Sequence, residues 1–139
     1  MKLPPEVRSA LSTPRIARFC VNDSNGYPHC VPLWFDVDGE DIVMISPLET
    51  RKVDYLRASP KSAICIGGGE DQRRELGNAY LLKGTSAVEE DPGYRFLRQL
   101  THRYDPDRAS AEKNIALWRE TYDMKVIRLA VEKIIRVYP

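Results

Sequence analysis

The stretch Arg15-Ile16-Ala17-Arg18-Phe19-Cys20-Val21 leads into Asn22-Asp23-Ser24-Asn25-Gly26 and then His29-Cys30-Val31-Pro32-Leu33-Trp34-Phe35. Ala17, Phe19 and Val21 fall on one face and Arg18 on the other, the period of two of a half-buried strand. The Asn-Asp-Ser-Asn-Gly segment supplies residues that tolerate left-handed backbone angles, a hairpin signal. The run from His29 to Phe35 is apolar on both faces, so a strand covered on both sides is expected there. Pro32 has no N–H to give, which predicts a bulge or a sheet edge at that point. The fold starts as antiparallel β.

Working outward, Asp38-Gly39 is a second tight-turn signal, and Ile42 to Ser46 reads as a third strand. The period then changes. Val53, Tyr55 and Leu56 suit a short helix over Thr50 to Ala58, with Thr50 as N-cap and Pro60 as its stop. Ser62 to Ile66 is a fourth strand, Gly67 to Glu75 a polar loop, and Asn78 to Glu89 a long fifth strand with a bulge at Gly84. Asp91-Pro92 opens a helix, along which Tyr94, Leu97, Thr101 and Tyr104 share a stripe. A second helix starts near Ala109 and places Ala111, Ile115, Trp118 and Tyr122 on one face. Met124 to Val137 closes the chain as one or two strands. The expectation is a mainly β chain with inserted helices: about six antiparallel strands in a small closed barrel, one domain over residues 1–139.

Bulk composition narrows the function. With 139 residues, 42% of them hydrophobic, the chain buries a real core, which excludes disorder. Lys plus Arg number 21 against 20 for Asp plus Glu, which excludes a general nucleic-acid binder and argues against docking on anionic membranes. The start Met1-Lys2-Leu3-Pro4-Pro5-Glu6 holds no apolar run, and no stretch approaches the ~20 apolar residues of a membrane span. Cys20, Cys30 and Cys65 stand in apolar segments without a Cys-x-x-Cys pair, so they read as reduced core thiols of a cytoplasmic protein.

One local rule is broken. A helix N-terminus carries free N–H groups and about half a positive charge, so acids are favoured there. The Thr50 helix instead opens with Arg51 and Lys52. An anion docked at that point resolves the conflict, since a phosphate would meet a hydroxyl, backbone N–H groups, a guanidinium and an ammonium together. A solvated turn neutralised by Glu49 and Asp54 is the plainer reading, and composition leaves both open.

Other motifs carry less. Gly67-Gly68-Gly69 is not spaced as a dinucleotide fingerprint. His29 and His102 lie far apart without ligand-spaced partners, so no metal site is expected. His29 and Cys30 are strand neighbours on opposite faces and cannot form a nucleophile–base pair. Trp34 and Trp118, taken alone, read as core or interface. No carboxylate pair claims acid–base work, and no catalytic residue is assigned.

The segments His29 to Phe35, Ile45 to Leu56 and Tyr80 to Glu89, with the order of strands, resemble the pyridoxamine 5′-phosphate oxidase-like split β-barrel family. The resemblance runs from about Pro14 to about Val137 and is most specific in Ile45-Ser46-Pro47-Leu48-Glu49-Thr50-Arg51-Lys52-Val53. It implies that Thr50, Arg51 and Lys52 hold the phosphate of FMN. It implies further that His29, Val31, Pro32, Leu33 and Trp34 line the flavin ring and ribityl chain, with Ile45 and Ser46 completing the near side. The family is dimeric with cofactor at the subunit interface, which implies a homodimer and makes Trp118 a candidate cover for the ring. His29 and Trp34 stand where the oxidase carries basic residues, and Arg136-Val137-Tyr138 lacks the oxidase's substrate-binding histidine. These departures point to the general branch of the family and a small-molecule substrate other than pyridoxamine phosphate. The expected activity is an FMN-dependent oxidoreductase. The alternatives are a deazaflavin-dependent reductase, with Arg73 and Arg74 available to a longer cofactor tail, a flavin store or sensor without turnover, and a haem protein.

Overall fold

A computed structural model describes residues 1–67 and 78–138. Its strands are β1 (Ala17–Asn22), β2 (Pro28–Leu33), β3 (Phe35–Asp38), β4 (Asp41–Pro47), β5 (Lys61–Ile66), β6 (Tyr80–Glu89) and β7 (Met124–Arg136). The helices are α1 (Pro5–Leu11), α2 (Arg51–Ala58), α3 (Arg95–Tyr104) and α4 (Arg108–Thr121), with a 3₁₀ turn at Pro92–Tyr94 ahead of α3. All seven strands form one antiparallel sheet in the order β2-β1-β5-β6-β7-β4-β3.

That order explains the barrel. β2 and β3 are the two edges of the sheet, yet only Trp34 separates them in sequence. One residue spans at most about 3.6 Å of extended chain, so the edges must come together and the sheet must curl. The split of the barrel therefore lies at Trp34. The expected single strand from His29 to Phe35 breaks there, which raises the strand count from about six to seven.

The interior is filled by Phe19, Phe35, Met44, Ile64, Leu82 and Leu129 from the sheet and plugged by Val53 and Leu56 of α2. Val7 and Leu11 add the apolar face of α1, and Leu3, just ahead of the helix, continues their four-residue spacing. A second, smaller core lies outside the barrel, where Val43 and Val126 meet Phe96 and Leu100 of α3. β4 is thus buried on both faces, with Ile42 and Met44 inward and Val43 facing α3, and so is the start of β7, with Ile127 inward and Val126 facing α3. β2 was expected to be covered on both sides, but its outer residues Pro28, Cys30 and Pro32 are exposed because no helix crosses that edge.

Proline placement follows from register. The Asp23 N–H donates to the Tyr27 carbonyl at 2.8 Å, so this pair is a hydrogen-bonded one. Alternation along the ladder makes Asn22↔Pro28, Cys20↔Cys30 and Arg18↔Pro32 non-hydrogen-bonded pairs. Pro28 and Pro32 therefore lack only N–H groups that would point off the edge. The expected bulge at Gly84 is also present: register shifts between Lys83 and Gly84, and a Cβ there would lie 1.9 Å from the Ala130 carbonyl oxygen.

The three cysteines correct the expectation of core thiols. Period two places all of them on the outer face of β2-β1-β5, Cys30 exposed and Cys20 and Cys65 half-buried, because Phe19 and Ile64 take the inward positions. No helix among the described residues is long and apolar enough to cross a membrane.

Candidate functional site

Two adjoining clefts open at the split. The first has a volume of about 310 Å³ and is lined by Pro32, Leu33, Trp34, Ile45, Pro47, Trp118, Tyr122 and Met124. The second is lined by Pro47, Leu48, Glu49, Thr50, Thr121, Tyr122 and Asp123, and shares Pro47 and Tyr122 with the first. One half is therefore apolar and aromatic, and the other is polar and reaches the start of α2.

The aromatic wall is built from three elements. Trp34 stacks on Tyr104 of α3, with ring centroids 5.0 Å apart and planes 5° from parallel. Trp118 of α4 also packs on Trp34, tilted by 60° with ring centroids 5.9 Å apart. Tyr104 is itself pinned: its hydroxyl accepts from the Phe35 N–H at 3.2 Å and donates to the Arg15 carbonyl at 2.5 Å. Burial is the main cause that holds the Tyr104 hydroxyl above the ordinary tyrosine range, so it stays protonated and keeps donating. The indole at the split is thus fixed by half-buried hydrogen bonds one ring away.

The polar half carries the anion question. Thr50 is the N-cap of α2, but its hydroxyl makes no capping bond. Thr50 Oγ1 lies 3.3 Å from the Pro47 carbonyl oxygen and 3.2 Å from Ser46 Oγ, so the hydroxyls bind the loop instead. The first-turn N–H groups are left without a side-chain acceptor. Arg51 is exposed and Lys52 is half-buried, and among the described residues neither makes an ion pair or a side-chain hydrogen bond. Burial alone lowers the Lys52 ammonium below the ordinary lysine value. Glu49 and Asp54, offered above as neutralising partners, do not take that role. Asp123, the other acid of this cleft, is matched by Lys125 at 3.1 Å.

Of the residues proposed from sequence, Pro32, Leu33, Trp34, Ile45, Trp118 and Thr50 line the joined clefts. Trp118 does so within its own chain. Ser46 is buried behind Thr50, and Arg51 and Lys52 follow Thr50 on α2 without lining either cleft. His29 and Val31 are not brought to the clefts. They share the inner face of β2, where the His29 ring packs edge-on against Tyr55 at 5.2 Å and Val31 joins the core. Alternation puts them on the face opposite Pro32 and on that of Leu33, which lines the cleft at the far end of β2 next to Trp34. Pro47, Tyr122 and Met124 were not anticipated; Pro47↔Met124 is a β4–β7 register pair, a contact that local sequence cannot announce. Arg73 and Arg74 lie outside the described residues. Among the described residues no group of His, Cys, Asp and Glu is placed to hold a metal ion.

A family model described as pyridoxamine 5′-phosphate oxidase matches residues 3–138. The chain belongs to the pyridoxamine 5′-phosphate oxidase-like family, whose split β-barrel the described strands form. It is similar to an F420 reductase at 18% identity, with a TM-score of 0.74, covering 96% of this chain and 99% of that one. It is similar also to the conserved hypothetical protein Rv2991 of Mycobacterium tuberculosis, at 15% identity and TM-score 0.73 over 96% and 83% of the two chains. HutZ, the heme storage protein of Vibrio cholerae, matches at 16% identity and TM-score 0.71 over 98% and 95%. At these identities the likeness is one of fold. No curated protein matches the sequence.

Proposed function

We propose that the chain binds FMN, with the ring in the apolar cleft and the phosphate at the start of α2, and works as a flavin-dependent oxidoreductase on a small molecule. The observation that carries this reading is the junction at Pro47 and Tyr122, which joins an aromatic slot to a polar cleft ending on Thr50. A flat aromatic ring with a polar, anionic tail has that same division. Arg51 and Lys52, unpaired among the described residues, suit the phosphate.

Bound flavin would supply the redox chemistry of the ring, and the residues here supply everything else. Trp34, held by Tyr104 and Trp118, gives the slot a rigid wall that costs little side-chain entropy on binding. Ile45, Leu33 and Met124 exclude water. Tyr122, which lines the slot, and Leu117 beside Trp118 are exposed at 49% and 55%. Exposed apolar groups, Tyr122 in the lining of the slot and Leu117 on α4, favour a homodimer in which a second chain covers it; the compartment we assign to it is the cytoplasm.

The deazaflavin reading is supported by the F420 reductase of nearly equal length. The same phosphate seat serves it, and equilibrium titration with each cofactor decides between them. A flavin store or sensor differs in giving no turnover with any reductant. Haem binding has less support: His102 Nε2 lies 2.9 Å from a Glu112 carboxylate oxygen, His29 packs on Tyr55, and neither lines a cleft.

The deciding experiment is the absorption spectrum of the purified protein followed by titration with FMN. Flavin bands, or saturable quenching of FMN fluorescence at one equivalent per chain, are expected. A colourless protein that leaves added FMN fluorescent and free would overturn the reading.

A further inference from the structure

The outer face of the hairpin holds a feature that the cofactor reading leaves unused. Cys20 and Cys30 are register partners in β1 and β2, at a non-hydrogen-bonded position, and both thiols are free. Such pairs hold their Cα atoms about 4.5 Å apart with side chains leaning together, inside the roughly 4.4–6.8 Å that a disulfide spans. The two Sγ atoms are 2.9 Å apart. Ala63 follows Cys20 in the same row of the sheet, so no bulky neighbour holds the sulfurs apart from that side.

We propose that Cys20 and Cys30 are a redox-active dithiol that low-molecular-weight disulfides convert to a cross-strand disulfide within one chain. Cys30 is the exposed member and the one an incoming disulfide meets. Its thiolate attacks one sulfur of glutathione disulfide, forming a mixed disulfide on Cys30 and releasing one glutathione. Cys20 then gives its proton to solvent and attacks the Cys30 sulfur. The Cys20–Cys30 bond forms and the second glutathione leaves. The protein loses two electrons and two protons, and glutathione disulfide gains both.

Surroundings set the order of attack. Burial, with added contributions from Cys30 and Cys65, pushes the Cys20 thiol up to about 12, so Cys20 keeps its proton while Cys30 is free. Tying Cys30 in a mixed disulfide removes only its hydrogen bond and charge, the smaller causes of that shift; burial remains, and Cys20 resolves the adduct through the closeness of the two sulfurs, 2.9 Å apart. Cys65 faces Arg18 across β1–β5 and acts on Cys20 only through charge. The bond formed would clamp the edge strand that carries Pro32 and Leu33 into the apolar cleft.

The test uses the full chain, incubated with glutathione disulfide, alkylated, and read by intact mass and by peptide mapping. Expected is the loss of two hydrogens, alkylation confined to Cys65, and a Cys20–Cys30 peptide that dithiothreitol separates. Cys65→Ala closes as the wild type does. Cys20→Ala accumulates the glutathione adduct on Cys30. Cys30→Ala, altered at an exposed position that the fold does not depend on, takes no adduct and closes no bond. A wild type that stops at the adduct, links Cys20 to Cys65, or joins two chains through Cys30 overturns the proposal. None of these readouts depends on a bound cofactor.

Discussion

The starts of α2 and α3 obey opposite rules within one chain. At α3 the Asp91 carboxylate receives the Phe96 and Leu97 N–H groups, each at 3.0 Å. The start of α4 is treated likewise, with Asp107 accepting from Ala109 at 3.1 Å and Ser110 at 3.4 Å. At α2 no side chain caps, and two cations without partners among the described residues occupy the first turn. At α3 and α4 the sequence supplies a capping acid. At α2, which opens on a cleft, the capping acid is missing and Asp54 of the first turn leaves Arg51 and Lys52 unpaired among the described residues, an arrangement that suits the anion proposed above.

The largest effect that would sharpen this contrast is on affinity. Arg51→Ala with Lys52→Ala removes two charge-assisted contacts to phosphate of about 1.5–3 kcal/mol each, so the FMN Kd should rise roughly 100-fold or more. Thermal melting of the unliganded variant should stay where it was; a matching fall in Tm would mean that the pair supports the fold instead. Asp91→Ala should do the reverse, lowering stability by about 1–2 kcal/mol in urea melts while FMN titrations stay unchanged. Thr50→Asp would give α2 the cap that its neighbours have. The unliganded protein should gain about 0.5–1 kcal/mol, and FMN affinity should fall by about tenfold as the new carboxylate repels phosphate.

The smallest effect is one of pH. Burial places the folded Lys52 ammonium below its unfolded value, so the unfolded chain binds more protons between the two. Stability from this group therefore rises as pH climbs through the folded value towards the unfolded one. Lys52→Met should remove that rise, seen as a flatter urea midpoint between neutral pH and about pH 10. An unchanged slope would show that the ammonium is no worse off folded than unfolded.

Much of this was legible because it is local. Alternation along β1, the bulge at Gly84 and the cations after Thr50 need only a few adjacent residues. The break at Trp34 was not legible, since a run of apolar residues looks alike whether it stays in one strand or crosses between two sheet edges. Pro47 and Met124 escaped for the same reason, since β4–β7 pairing over a long separation brings them together, and Tyr122 comes with them from the end of α4. α1 was missed although Val7 and Leu11, with Leu3 just ahead of it, carry helical spacing and Pro5 takes the first helical position.

The prolines of β2 bear on how copies of this chain meet. Of the three residues whose N–H would point off that edge, Pro28 and Pro32 have none, and only Cys30 can offer one. A passing strand therefore finds three carbonyl acceptors there but only one donor. While the hairpin is the only part of the barrel yet synthesised, its apolar run is exposed to other nascent chains, and this missing row of donors blocks amyloid-like stacking. Association is left to side chains on the faces, where shape and chemistry select the partner.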